Sequence, residues 1–426
     1  MLVLSLDREG AFIVTGGNRG VGFSAAKILL NRGHSVIILS RNHARGEVAV
    51  ANLIRLTGNR NCTFNVVDLC DFKTILDFAR EVEKKNIAVA SLINNAGMIA
   101  RDSMTPNHLG HFALTLALLP ALRRGRDLSG NASIVNVASV AHLDGSLELM
   151  KFITKYNDIN PSISLASGCA SLESTSPGNI IDSSSMQSST DSRVLSLLED
   201  TSSWSSYTAS KAANVAFSLA LGQLLETEGI RVTSLHPGVM LTDLWRSPNE
   251  HQKATDGGGD AGRETLRWLS CCCVKIPQVA AIGLTSLASP RLPYRVCCYP
   301  MHALGGTQTL GNITNTVQRY LFTGSNGGYY QQCLCCCIVP VRASPLVYEY
   351  HLQNDLWKAS FEYIRVRNNE LYEYVMTNSA SLGPKLNGER QLKPRNLPRR
   401  LHVSPATPCS ECLTIAPYCV CLACIC

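Results

Sequence analysis

Short apolar runs alternate with longer amphipathic stretches through the first half of the chain. The runs are rich in β-branched residues, as buried parallel strands are; they lie at 11–15, 35–40, 65–69, 89–93, 133–137 and 231–235. Helical patterns lie between them, at 23–31, 72–84, 111–122 and from 207 to about 226. The alternation predicts an α/β fold, a Rossmann-like doubly wound parallel sheet covered by helices on both faces.

A glycine-rich turn joins the first predicted strand to the first predicted helix. Gly16, Gly20 and Gly22 stand in this turn. Glycines in a strand–turn–helix unit let the backbone approach a pyrophosphate, which then lies at the positive N-terminus of the helix. The arrangement predicts a dinucleotide site, and an ordinary turn is the alternative.

Arg41 directly follows the second predicted strand, where dinucleotide-binding folds meet the adenosine ribose. An acidic residue there binds a 2′-hydroxyl, whereas a basic residue accommodates a 2′-phosphate. Because the loop residue Arg19 is also basic, we expect NADP(H) rather than NAD. Two ordinary surface arginines are the alternative.

Tyr207 and Lys211 are the strongest candidates for chemistry, because their four-residue spacing puts them on one face of a helix. We expect the ammonium to favour the phenolate and to lower the pKa of Tyr207 towards neutrality. Such a tyrosine can exchange a proton with a carbonyl or alcohol oxygen. A solvated helix face is the alternative for this pair. Ser139, at the end of the fifth strand, is a candidate hydrogen-bond donor to substrate or else a helix cap.

Together these pieces resemble the short-chain dehydrogenase/reductase family, and in detail its retinol dehydrogenase and WW-domain oxidoreductase branch. The resemblance spans about 11–250 and, more loosely, 275–365. It rests on several motifs in order: TGGNRGVG at 15–22, SRN at 40–42, Asp68-Leu69, NNAG at 94–97, NHLGHF at 107–112, Ser139, YTASK at 207–211, HPGVMLT at 236–242 and ASPLVYEYHLQNDLWKAS at 343–360.

The resemblance implies an NADP(H)-dependent oxidoreductase that interconverts a carbonyl and an alcohol on an apolar small molecule such as a retinoid, steroid or lipid aldehyde. Tyr207 would be the general acid/base, and Lys211 would lower its pKa and hold the nicotinamide ribose. Ser139 would orient the substrate oxygen, and Asn107 would hold a water in the proton relay. The implied cofactor-binding residues are Gly16, Arg19, Gly20, Gly22, Arg41, Asp68, Asn95, Gly97, Tyr207, Lys211, Pro237, Gly238 and Thr242.

The chain departs from the family pattern in three places. The segment between Gly97 and Asn107 is short, a largely low-complexity, Ser-rich insertion occupies 143–203, and residues 293–326 interrupt the late block. Within the first insertion we expect 163–193 to be a disordered loop. The predicted organisation is one domain with its main part at 11–292, its C-terminal part at 327–377 and a disordered Cys-rich tail at 378–426.

These departures keep two other hypotheses open. One is a catalytically impaired protein that binds nucleotide or serves as a scaffold. The other is an altered gene product that folds poorly.

Composition narrows the class of protein. The chain has 426 residues, is 45% hydrophobic and carries a net charge of +7, without a dense basic run interleaved with aromatics, so no nucleic-acid partner is expected. The longest apolar run, 112–122, is too short to span a bilayer. We see no signal peptide and expect a cytoplasmic protein. A homodimer stays open.

The cysteines are concentrated late in the chain. Cys62, Cys70 and Cys169 are the only ones of the 18 before residue 270, which favours a reducing compartment for the first part. We expect the runs at 271–273 and 335–337 to be core or surface thiols rather than a zinc site, because adjacent cysteines chelate one metal poorly. The tail has one CxxC pair at 409–412 without a second of suitable spacing, and no cysteine stands fourth from the end as prenylation requires.

Overall fold

The computed structural model describes residues 10–159, 202–240, 274–275, 277–288, 328–332, 338–340 and 343–382. Several predictions concern residues outside these ranges. They are the loop at 163–193, the interruption at 293–326, the cofactor role of Thr242, Cys169 and the cysteines after residue 270.

The described strands form one large sheet and one small pair. Their bounds are β1 (Ala11–Thr15), β2 (Val36–Ser40), β3 (Cys62–Val66), β4 (Val89–Asn94), β5 (Ala132–Val137), β6 (Ile230–His236), β7 (Val239–Met240), β8 (Val274–Lys275), β9 (Tyr329–Gln332) and β10 (Ile338–Pro340). The large sheet has eight strands in the order β10-β9-β6-β5-β4-β1-β2-β3. All its pairs are parallel except β10 with β9.

Helices alternate with these strands along the chain. They are α1 (Gly20–Asn31), α2 (His43–Thr57), α3 (Phe72–Lys84), α4 (Gly110–Ala117), α5 (Leu119–Ser129), α6 (His142–Ile159), α7 (Ser203–Leu224), α8 (Pro277–Ala288), α9 (Tyr350–Arg367) and α10 (Asn369–Asn378). A π-helical turn, Thr105–Leu109, precedes α4. Short 3₁₀ turns lie at Glu226–Glu228, Pro345–Tyr348 and Ala380–Leu382. Within the described residues, no helix is both long and apolar enough to cross a bilayer.

Both faces of the sheet are buried, as the near-continuous apolar strands predict. In β1, Ile13 joins a core formed with α3, α4, α5 and α7, whereas Phe12 and Val14 join a second core formed with α1, α2 and α8. Successive strand side chains point to opposite faces, so one strand serves both cores. The predicted doubly wound fold is confirmed.

The strand order reverses at β1, which pairs with β2 on one side and with β4 on the other. In open α/β sheets such a reversal opens a crevice at the carboxyl ends of the strands, where ligands bind. The ends of β1, β4, β5 and β6 therefore carry the candidate site.

Two predicted boundaries were displaced. The third strand was placed at 65–69 but lies at Cys62–Val66, so Asp68 follows the strand instead of ending it. The fold was expected to end at 377, but Ser379 and Leu382 are still buried against it. Both errors arise because an apolar run shows that an element exists better than where it stops.

The segment taken as a Ser-rich insertion begins as a packed helix. Every third or fourth residue of α6 is buried, the spacing of one helix face; these residues are His142, Ser146, Leu149 and Ile153. Gly145 lies so close to α7 that a Cβ there would meet the Thr208 backbone oxygen at 1.9 Å. The start of the predicted insertion thus supports the helix that carries Tyr207.

We expect Gly145→Ala to destabilise the protein by about 1–3 kcal/mol or more, because the added methyl meets backbone that has no room to yield. Urea unfolding measures the change. Leu147→Ala on the same helix is the matched control, since Leu147 is 64% exposed and its truncation should be nearly neutral. Equal stability of Gly145→Ala and the native chain would mean that α6 does not pack on α7.

Candidate active site

Helix α7 brings Tyr207 and Lys211 to the carboxyl edge of the sheet. Ser202 caps the helix, since its side chain accepts a hydrogen bond from the Ser205 N–H at 3.1 Å. Tyr207 and Lys211 lie one turn apart on the same face and are both buried. The Lys211 Nζ atom is 5.6 Å from the centre of the Tyr207 ring.

Ser139 meets this pair from the next strand. It lies just beyond the end of β5, and its hydroxyl is close enough to the Tyr207 phenol to act on the pKa of that group. The Ala141 N–H also donates to Ser139 Oγ at 3.2 Å, which fixes the loop after the strand. The structure therefore brings Tyr207, Ser139 and Lys211 together.

Burial dominates the electrostatics of the pair. Burial raises the pKa of Tyr207, and the neighbouring Ser139 hydroxyl opposes that rise. Burial also lowers the pKa of Lys211 to about 8. The expected net fall of the Tyr207 pKa towards neutrality was wrong for the cofactor-free chain, because desolvation of the phenolate sets the direction of the shift. At pH 7 the site holds a neutral phenol beside a charged Lys211, whose Nζ donates to the Val137 carbonyl at 2.9 Å.

Asn107 lies in the π-helical turn and clamps the turn after β4. Its Oδ1 accepts from the Met98 N–H at 2.9 Å, and its Nδ2 donates to the Met98 carbonyl at 2.9 Å and to Ser210 Oγ at 3.0 Å. A Cβ on Gly97 would lie 3.4 Å from Asn107 Oδ1 and 3.5 Å from Lys211 Nζ. The short segment between Gly97 and Asn107 therefore leaves Asn107 beside Lys211.

The Asn107 carbonyl already has two donors. It accepts from His111 Nδ1 at 3.0 Å and from Asn214 Nδ2 at 3.0 Å. A carbonyl oxygen has two lone pairs, so a water bound there would have to displace one of these groups. The water-holding role of Asn107 stays a prediction.

The glycine-rich loop depends on glycine at three positions. Gly16 and Gly20 have φ values of +64° and +58°, in the left-handed region that glycine tolerates. A Cβ on Gly22 would lie 2.5 Å from the Gly16 carbonyl, whereas one on Gly20 would meet nothing within 4 Å. The N-cap residue Arg19 makes no side-chain capping bond to α1, so its side chain does not satisfy the first N–H groups of the helix.

The residues predicted to bind the adenosine half of the cofactor lie at the ends of β2 and β3. Arg41 is exposed directly after β2. Asp68 follows β3, and its Oδ1 accepts from the Cys70 N–H at 2.9 Å. Cys70 is exposed at its surface, yet partial desolvation together with Asp68 and Asp102 raises its pKa, and Arg41 opposes that rise. Arg41 and Asp68 therefore act on the same thiol. Pro237 and Gly238 follow β6, beside the end of β5.

Comparison with known proteins identifies the family. The sequence model of the short chain dehydrogenase family matches residues 11–152 and 161–253, more than half of the chain. The chain belongs to the short-chain dehydrogenase family. Members of this family are oxidoreductases that bind a nicotinamide cofactor, and carbonyl–alcohol oxidoreduction is the chemistry expected of this member.

Several relatives are called retinol dehydrogenases. Human retinol dehydrogenase 13 is 29% identical over 286 residues, which cover 65% of this chain and 71% of that protein. Human retinol dehydrogenase 11 is 30% identical over 281 residues, which cover 63% of this chain and 69% of that protein. Among solved structures, a variant actinorhodin polyketide ketoreductase with NADPH is 20% identical, with a TM-score of 0.45, and covers 66% of this chain and 91% of that one.

Sequence reasoning missed Thr15 and His111 in this short-chain dehydrogenase. The Thr15 hydroxyl accepts the N–H groups of Asn95 and Ala96 at 2.8 and 2.9 Å and contacts His111 Nε2 at 2.9 Å. The available signals were a hydroxyl residue at the last position of a buried strand and a histidine four residues after Asn107. Neither pattern distinguishes a site residue from a core residue until the fold brings the elements together.

The pKa of Lys211 predicts a pH-dependent stability. Its folded value is about 8, below the value of ~10.4 expected for an unfolded chain. Between these values the unfolded chain holds a proton that the folded chain has released, so the free energy of unfolding rises with pH. From pH 7 to 9.5 we expect the native, cofactor-free protein to gain about 2 kcal/mol relative to Lys211→Met.

Urea unfolding across this pH range, with a thiol reductant present, measures the difference. Lys151→Met is the control for loss of one ammonium, since Lys151 is exposed on α6 and its replacement should not remove the gain. Parallel pH profiles for the native protein and Lys211→Met would contradict the buried, destabilised charge.

Proposed function

We propose that the protein is an NADP(H)-dependent oxidoreductase that interconverts an apolar carbonyl compound and its alcohol, with Tyr207 as the general acid/base. The observation that carries this proposal is the juxtaposition of Tyr207 and Ser139 beside the buried Lys211, whose Nζ is 5.6 Å from the centre of the Tyr207 ring. Two hydroxyls and an ammonium converge there at the crevice where open α/β sheets bind their ligands.

The glycine-rich loop supports the cofactor part of the proposal. Gly16 and Gly22 let the loop pack closely on the turn after β4 and on α1, whereas Gly20 faces open space at the N-terminus of α1, where a pyrophosphate would lie. Arg41 at the end of β2 is placed to meet a 2′-phosphate, with Arg19 in the loop as a second cation. Asp68 would meet the adenine, whereas Asn95, Gly97, Pro237, Gly238 and Thr242 would line the nicotinamide half.

The protonation state of the site favours reduction. NADPH, when bound, supplies the hydride that adds to the carbonyl carbon. Tyr207 donates its phenolic proton to the carbonyl oxygen, and Ser139 donates a hydrogen bond that holds that oxygen in place. Because burial raises the pKa of Tyr207, the phenol is ready to donate at neutral pH. Lys211, charged below pH 8, stabilises the phenolate that forms.

The surface near Tyr207 supports an apolar substrate. Trp204 lies one turn before Tyr207, with ring centres 5.6 Å apart, and is 41% exposed. Helix α6, which packs on α7 through its other face, also carries three exposed apolar side chains, Leu143, Leu147 and Met150. A retinoid, steroid or lipid aldehyde has the apolar area to cover such a surface. The retinol dehydrogenase names of the relatives agree with this class.

A catalytically impaired nucleotide-binding or scaffold protein is the second candidate. Its support is that the Asn107 carbonyl and Lys211 Nζ are already engaged by groups of the protein itself. This candidate predicts cofactor binding without turnover.

We expect NADPH to bind more tightly than NADH, and Arg41→Asp to weaken NADPH binding by roughly tenfold or more while leaving NADH nearly unchanged. The reason is that the 2′-phosphate loses a cation and meets a carboxylate. Titration of the cofactor's fluorescence measures both constants. Arg55→Asp is the charge-matched control, since Arg55 is exposed in the last turn of α2 and should leave both constants unchanged.

An equal effect of Arg41→Asp on the binding of NADPH and NADH would mean that Arg41 does not bind the 2′-phosphate. Failure of the native protein to bind either cofactor would contradict the proposed oxidoreductase function.

We expect Tyr207→Phe to lower kcat for reduction of an apolar aldehyde by about 10²–10⁴-fold while NADPH still binds, because the phenol donates the proton. The measurement is consumption of NADPH with a retinoid or long-chain aldehyde. Tyr363→Phe is the matched control, because it removes another buried hydroxyl, bonded to Thr105 at 3.2 Å. If the native protein binds NADPH but turns over no carbonyl substrate, the impaired-protein candidate is favoured. If Tyr207→Phe retains native turnover, the acid is another group.

A further inference from the structure

Two buried histidines follow Asn107 on the same helical segment. Burial lowers the pKa of His108 to about 4 and that of His111 to about 3, so both rings are neutral at pH 7. His108 contacts Asn214 Oδ1 at 3.3 Å and Ser360 Oγ at 3.1 Å, away from the glycine-rich loop. His111 instead lies between Asn107 and Thr15, where the catalytic segment meets β1.

The contacts of His111 fix its tautomer. Its Nδ1 is 3.0 Å from the Asn107 carbonyl, which can only accept, so Nδ1 carries the proton. Its Nε2 is therefore an acceptor, and the Thr15 hydroxyl donates to it at 2.9 Å. The other acceptor near that hydroxyl, the Ile93 carbonyl, is farther away at 3.4 Å.

The Thr15 hydroxyl is fully used in this arrangement. It donates to His111 and accepts the N–H groups of Asn95 and Ala96 on its two lone pairs. Donation to the imidazole orients the lone pairs towards the two N–H groups. Loss of the imidazole acceptor would free the hydroxyl to rotate towards Ile93, which draws the lone pairs away from the turn after β4.

That turn also borders the glycine-rich loop. Asn95 Nδ2 donates to the Thr15 carbonyl at 2.8 Å, and a Cβ on Gly22 would lie 2.6 Å from the same nitrogen. A continuous set of contacts thus runs from Asn107 through His111 and Thr15 to the loop where the cofactor would bind.

We propose that His111 is a positioning residue, which sets the turn at Asn95-Ala96 relative to Asn107 through the Thr15 hydroxyl. The role rests on the proposed function in one respect, namely that this turn lines the cofactor. His111 touches neither substrate nor cofactor in this role. It acts by holding one hydroxyl in one orientation.

The first test measures hydrogen exchange in the cofactor-free protein, so it does not depend on NADPH binding. We expect His111→Leu to accelerate exchange of the Asn95 and Ala96 N–H groups by at least about tenfold, because their acceptor is no longer oriented. His111→Gln should restore slow exchange, since its carboxamide oxygen can accept from Thr15. His111→Asn should not, since it reaches only the Asn107 carbonyl.

His108→Leu is the matched control. It also removes a buried neutral imidazole from the same segment, so it should lower the melting temperature while leaving exchange at Asn95 and Ala96 slow. Thr15→Val tests the same contact from its other side, so it should accelerate exchange at Asn95 and Ala96 as much as His111→Leu does. The double variant should show no further acceleration. Unchanged exchange in folded His111→Leu, or equal acceleration in His108→Leu, would overturn the proposal.

The second test is NADPH titration of the same set. We expect His111→Leu and Thr15→Val to raise the dissociation constant by about tenfold, His111→Gln to recover most of that loss, and His108→Leu to stay within about twofold of native. If exchange responds as expected while the native protein binds no NADPH, His111 still positions the turn and the proposed function fails. If native NADPH binding is tight and His111→Leu matches it, the positioning role is wrong.

Discussion

Lys211 holds an ammonium where only 4% of the residue meets solvent, and such burial is tolerated only with close polar partners. The Val137 carbonyl supplies one partner because β5 ends there and leaves its last oxygen outside the sheet ladder. The Tyr207 ring supplies a second, weaker one from one helical turn away. The position of Lys211 therefore depends on where β5 ends and on how α7 lies against it, so the site and the sheet form together.

The same requirement extends across the carboxyl edge of the sheet. Asn94 Nδ2 donates to Thr115 Oγ1 at 2.9 Å and to Asn136 Oδ1 at 2.8 Å, and Asn136 Nδ2 donates to Ser218 Oγ at 2.8 Å. These bonds join β4 and β5 to α4 and α7 in an apolar setting, where hydrogen bonds are strong, although Asn94 Oδ1 itself is buried without a partner. The helix that carries Tyr207 is consequently held by polar contacts as well as by the core.

The sequence allowed the sheet, the glycine-rich loop and the α7 pair to be predicted because each signal is local. Periodicity locates β1, a glycine pattern locates the loop, and four-residue spacing aligns Tyr207 with Lys211. Helix α6 was missed because its buried face includes His142 and Ser146, which look like loop residues until α7 packs on them. The direction of the Tyr207 pKa was wrong for a related reason, since desolvation is a property of the folded chain and not of its spacing.

Helix α7 shows why the site cannot be separated from the fold. Buried on nearly all sides, it would be expected to be apolar throughout, yet Ser210, Asn214 and Ser218 repeat every four residues along it. Ser210 accepts from Asn107 Nδ2, Asn214 donates to the Asn107 carbonyl, and Ser218 accepts from Asn136. This stripe lies beside the Tyr207 and Lys211 positions, so the residues that anchor the helix also set where the phenol stands. A change in the stripe must therefore alter stability and proton transfer together, whereas a change confined to Tyr207 can alter proton transfer alone.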